Sequence, residues 1–133
     1  MPSSSLRRDG RKPGPATYLA DPGLFGIGDD VAWEPPDVAS REELLAAILQ
    51  HRAALAVHRD NARRRRKVAA LARRMGANPD TLRRKLNGER WATVLDLAGW
   101  ALHATPAAVP GKEEVEAALL KVAPELPTLR QDI

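Results

Sequence analysis

The sequence predicts an all-α protein: a compact four- to five-helix bundle that contains a helix-turn-helix and carries an irregular, Pro/Gly-rich N-terminal extension. Three observations lead there. The 133 residues suit a single domain, and 44% are hydrophobic but only five are aromatic. A core of this composition is built mainly from Leu, Val and Ala, which favours helices over a sandwich or barrel. Apolar positions recur at helical spacing from Leu44 to Val122, and capping residues punctuate them at Ser40, Asn78 and Thr93.

Residues 1–39 hold six prolines and five glycines, a density that prevents a long helix. Through about residue 15 this segment reads as a mobile basic tip with Arg7, Arg8, Arg11 and Lys12. Tyr18, Leu19, Leu24, Phe25, Ile27, Val31 and Trp33 are too many apolar residues for a solvated tail, and predict a stretch packed on the body. Residues 40–106 form the helical domain. Ser40-Arg41-Glu42-Glu43 has the spacing of a capping box and opens a first helix to about Val57, with Leu44, Ile48 and Leu55 on its apolar stripe. Residues 59–67 are almost wholly charged or polar and predict a solvated helix end or a loop.

Val68 to Ala72 restores an apolar face and starts a second helix, which stops at Gly76, a residue free to take a positive φ. Asn78-Pro79 restarts the chain. Asn is a strong N-cap, and Pro at the next position has a helical φ and lacks an amide that would have gone unpaired. The third helix spans about Pro79 to Leu86 and ends at Asn87-Gly88; a fourth begins at Thr93, with Leu95, Ala98 and Leu102 directed inward, and Pro106 closes it. Residues 107–133 supply a last helix, about Lys112 to Val122 with Val115, Leu119 and Val122 on one face, and an extended tail.

The net charge of +4 is modest, but its distribution is uneven. Residues 59–90 carry twelve Lys or Arg against three acids, a balance of +9, while the remainder sums to −5. Sixteen of the 21 basic residues are Arg, a bias that a GC-rich genome can produce, but such a bias does not cluster them. One segment built to meet polyanions between flanks that are not is the electrostatic footprint of nucleic-acid binding.

The stretch Val68 to Gly88, VAALARRMGANPDTLRRKLNG, is two short helices broken by a glycine turn, the connection used when a second helix crosses the first steeply. Ala72 lets them approach, Leu71, Met75 and Leu82 fill the contact, and Leu86 helps to anchor the second helix while its basic side chains face outward. On the framework Ala72, Gly76, Asn78, Leu82 and Leu86-Asn87-Gly88, residues 42–104 resemble the helix-turn-helix domains of the Cro/CI repressor type, also called XRE-like. The resemblance implies that the third helix reads the major groove of double-stranded DNA, with Asn78, Asp80, Thr81, Arg83 and Arg84 facing bases. Arg63, Arg64, Arg65, Arg66, Lys67, Arg73, Lys85 and Arg90 are the candidates for phosphates. Two departures stand out: Lys85 occupies a position usually apolar, and the basic tract 59–67 precedes the second helix where a short polar loop is typical.

Enzyme readings find little support. The chain has no cysteine, which removes thiolate metal sites, disulfides and cysteine nucleophiles. His51 and His58 lie seven apart on a helix but have no neighbouring carboxylate to complete a metal site. Gly23, Gly26 and Gly28 resemble a phosphate loop only superficially, since no buried strand precedes them. Trp91 and Trp100 read as core residues rather than stacking platforms. No cofactor is called for, and neither a signal-peptide apolar run nor an apolar stretch near membrane length is present.

The leading expectation is a cytoplasmic, nucleoid-associated transcriptional regulator, most simply a repressor, that binds double-stranded DNA without a membrane contact. The alternative is an antitoxin or adaptor that bridges DNA and a larger protein partner through residues 1–39 or 107–133; RNA binding through the Arg-rich tract ranks third. Because one helix offers few base contacts, a homodimer is expected, paired through the last helix with Leu120 off its Val115, Leu119 and Val122 face, or through the apolar part of residues 18–33.

Overall fold

In the computed structural model, which describes residues 13–123, the helix starts fall where local capping chemistry sets them. Ser40 caps α1 (Arg41–Arg64): its hydroxyl accepts from the Glu43 amide at 3.0 Å, and the Glu43 carboxylate accepts from the Ser40 amide at 2.9 Å. α2 (Val68–Met75) ends at Gly76, whose φ of +68° puts it in the left-handed region. Asn78 caps α3 (Pro79–Leu86) and Thr93 caps α4 (Val94–His103), the latter in a reciprocal box with Asp96. α5 (Lys112–Val122) is the fifth helix among the described residues; short 3-10 turns at Pro15–Tyr18 and Pro22–Leu24 precede α1, and one at Pro106–Ala108 joins α4 to α5. The protein is an all-α bundle with a helix-turn-helix in α2 and α3. Among the described residues no helix is long and apolar enough to cross a membrane.

α1 is the spine. It contacts α3, α5 and the turns at Pro15–Tyr18 and Pro106–Ala108, while α2 packs on α3 and α4. Between them lies a core of Phe25, Ala54, Val57, Leu71, Ala72, Leu82, Leu86 and Trp100, all buried. Ala72, the small residue read as letting the two helices approach, is wholly buried, and α2 packs on α3.

The N-terminal stretch is packed from Pro13 onward rather than from about residue 16, because its turns find specific seats. The Ala16 amide donates to the Gly88 carbonyl at 2.9 Å, and Trp91 Nε1 donates to the Pro13 carbonyl at 2.8 Å. Gly88, at φ +79°, presses against Phe25 and Ala16 so closely that a Cβ would stand 2.6 Å from the Phe25 ring. An isolated antiparallel bridge pairs Leu19 with Trp33. Of the expected mobile tip, residues 1–12 lie outside the described residues, as does the tail beyond Ala123.

Three further expectations need correction. The first helix does not end near Val57 but continues to Arg64, because Asp60 and Asn61 turn inward and the arginines beyond them find partners. Leu95, Ala98 and Leu102 are not the inward face of α4. They are exposed, and Leu97, Trp100 and Ala104 pack inward instead. Both sets make an apolar stripe at helical spacing, and the one holding Trp100 removes more apolar surface from water. Finally, the residues offered as pairing surfaces are partly occupied within one chain. α5 packs on α1 with Ala118 buried and Val115, Leu119, Leu120 and Val122 half-buried, and Tyr18, Leu19 and Phe25 lie inside the fold.

Candidate nucleic-acid interface

The turn between α2 and α3 is made by backbone alone. With Gly76 left-handed, the Ala77 amide reaches back to the Ala72 carbonyl at 2.8 Å, the six-to-one bond of a Schellman ending. Two residues later Asn78 Oδ1 accepts from the amides of Asp80 and Thr81 at 2.9 and 3.1 Å, which opens α3 and commits the Asn78 side chain to its cap. α3 then buries Leu82 and Leu86 and leaves Asp80, Arg83 and much of Arg84 in solvent, with Thr81 half-buried. The helix presents one apolar edge to the core and one charged edge outward.

That outward edge is an ion-pair cluster. Arg83 hydrogen-bonds Asp80 one turn earlier, and Arg84 Nε lies 2.9 Å from the other Asp80 oxygen. The Arg83 hydrogen bond and the two guanidinium charges hold the Asp80 carboxyl below the ordinary aspartate range. Asp80 and Arg83 face solvent and Arg84 is half-buried, so the pairing is weak enough for a better acceptor to replace it. A guanine presents one: its O6 and N7 match the two-pronged fork of an arginine.

Lys85 does not join this edge. Its ammonium reaches Asp96 at 2.9 Å, tying α3 to the cap of α4. Burial alone would raise the Asp96 carboxyl, but the Lys85 bond and the Thr93 backbone bond outweigh it and leave the group below its usual range. The polar residue at an expected apolar position is therefore a strut between two helices, with most of its side chain covered.

The basic tract is more organised than a charge run. Asp60, 2% exposed, accepts from Arg63 at 2.6 Å, from Arg64 at 3.1 Å and from Arg66 at 2.7 Å. Burial works against the charged carboxylate, and the bonds from Arg64, Arg63 and Arg66 overcome it and hold the group below the usual range. Arg66 also donates to Asn61 Oδ1 at 2.7 Å, and its side chain is only 13% exposed. Arg65 ends α1 in the left-handed region at φ 55°, a conformation that costs a side-chain-bearing residue about 1–2 kcal/mol. Arg63, Arg64, Arg65, Lys67 and Arg73 remain exposed; Arg90 is half-buried.

Several polar residues that position this surface escaped the sequence reading. Gln50, buried on α1, donates to the carbonyls of Lys85 and Arg90 at 2.9 and 3.0 Å and accepts from the Ala92 amide at 2.8 Å. One side chain thereby fixes the path of the chain leaving α3. His51 Nδ1 accepts from the Gly26 amide at 2.9 Å and sits edge-on to Phe25 and Trp33. Burial depresses the basicity of both His51 and His58. The signal lay in the spacing, since Gln50 and Asn61 share a helical face with Ala47, Ala54 and Val57.

Among the described residues no cluster of three His, Asp or Glu side chains could hold a metal ion. No family model, curated protein or solved structure matches the chain, so the fold and these residues carry the functional reading by themselves.

Proposed function

We propose that this chain is a sequence-specific double-stranded DNA-binding protein that reads the major groove with α3. The observation that carries the reading is the division of α3 into a buried Leu82 and Leu86 edge and an outward edge of Asp80, Arg83 and Arg84, presented after a tight left-handed turn. On DNA, Arg83 and Arg84 leave Asp80 for guanine edges, and Asp80 becomes free to accept from a cytosine amino group. Arg63, Arg64, Arg65, Lys67 and Arg73 neutralise phosphates and fix the register. The consequence of occupying a site is transcriptional control, most simply repression in the cytoplasm.

Selection of duplexes from a randomised pool by the full chain tests this reading. A sequence-specific binder enriches one motif containing guanines within a few rounds. Recovery of the pool without enrichment, despite retention on DNA, would leave only phosphate binding and favour the adaptor alternative.

A further inference from the structure

We propose that the outward face of α4, formed by Val94, Leu95, Ala98 and Leu102, is the surface through which two copies of this chain pair. α4 is apolar on opposite sides. Leu97, Trp100 and Ala104 pack against the core. On the far side Val94, Leu95 and Leu102 are 85%, 82% and 78% exposed, with Ala98 exposed between them. At 100° per residue these four fall within an arc of about 100° of the helix, so they form a continuous stripe rather than scattered contacts.

The size of the stripe fits a protein partner. It exposes roughly 450 Å² of apolar surface, within the range of the largest patch a monomer leaves in water. That area could supply the apolar centre of an interface covering about 800 Å² on each partner.

Charge favours a copy of the same chain. A two-fold axis sets each charge near its own duplicate, so a surface of one sign repels itself. The arginine-rich end of α1 and the outward edge of α3 have that problem. The α4 stripe does not: the one carboxylate of the helix, Asp96, is bound to Lys85 and Thr93. Symmetry agrees as well, because Leu95 and Leu102 stand three and four residues either side of Ala98. An antiparallel crossing at this small residue sets Leu95 against the partner's Leu102 and repeats the contact across the axis.

The test contains no DNA, so its outcome is separate from that of base reading by α3. Sedimentation equilibrium of the full chain at tens of micromolar should find a dimer. Leu102→Glu and Leu95→Glu should raise its dissociation constant at least about tenfold while the far-ultraviolet circular dichroism stays unchanged. Because the chain has no cysteine, Ala98→Cys gives a second readout: mild oxidation should yield a disulfide-linked dimer, whereas Ala69→Cys, exposed on α2, should not. A monomeric wild type, or a dimer indifferent to Leu102→Glu and uncoupled at Ala98→Cys, would overturn the proposal. A monomer that Leu102→Glu merely destabilises would also overturn it, by showing that the same chain covers the stripe.

Discussion

Gln50 makes three hydrogen bonds to backbone groups of the α3–α4 junction. Its removal strands groups that water reaches poorly. Gln50→Leu should therefore lower stability by about 2–4 kcal/mol, measured by denaturant unfolding, with the largest loss of amide exchange protection at Ala92. Unaltered protection there would show that the junction holds itself. His51 acts on the other side of α1, where the Gly26 bond and the Phe25 and Trp33 edges require a neutral ring. Folding depresses His51 and His58 below the ordinary 6.5, so on acidification the unfolded chain takes up protons that the folded chain refuses. Their contribution is complete above that value and is lost as pH falls below it. The midpoint of thermal unfolding should drop between about pH 7 and pH 5, and His51→Gln should flatten part of that dependence. An identical slope in the variant would remove His51 from the explanation.

Elements begin where short-range chemistry dictates, which is why their starts were legible. Ser40, Asn78 and Thr93 each bond to amides two or three residues away, and such bonds depend on no distant contact. The end of α1 and the facing of α4 were not legible for the opposite reason. α1 continues because Asp60 is buried among three arginines, and α4 turns on which of two apolar stripes the rest of the fold covers. The candidate site was readable as a set of residues, but not as a set of partners: Lys85 goes to Asp96, the exposed Arg63 and Arg64 share Asp60, and Arg66 is covered between Asp60 and Asn61. This division gives the tract a distinct prediction. Replacing Arg63, Arg64, Arg65 and Lys67 by Ala should flatten the plot of log affinity against log salt by about 3–4 units. Arg66→Ala should lower stability while leaving that slope in place, and the reverse pattern would refute the assignment.

Across the whole molecule, the charge is segregated: residues 59–90 hold +9 and the rest −5. The fold spends part of this excess internally, at Asp60, Asp80 and Asp96, and leaves the remainder on α1, α2 and α3. Charge alone would make a binder of any polyanion. Reading a sequence requires α3 to distinguish bases, and the most direct measurement is the ratio of affinities for the enriched duplex and a random duplex at one salt concentration. Major-groove reading predicts that Arg83→Ala and Arg84→Ala each lower this ratio by about 5- to 150-fold, corresponding to the roughly 1–3 kcal/mol of discrimination carried by one arginine–guanine contact. Equal losses on both duplexes, with the ratio unchanged, would contradict it and assign both arginines to the phosphates.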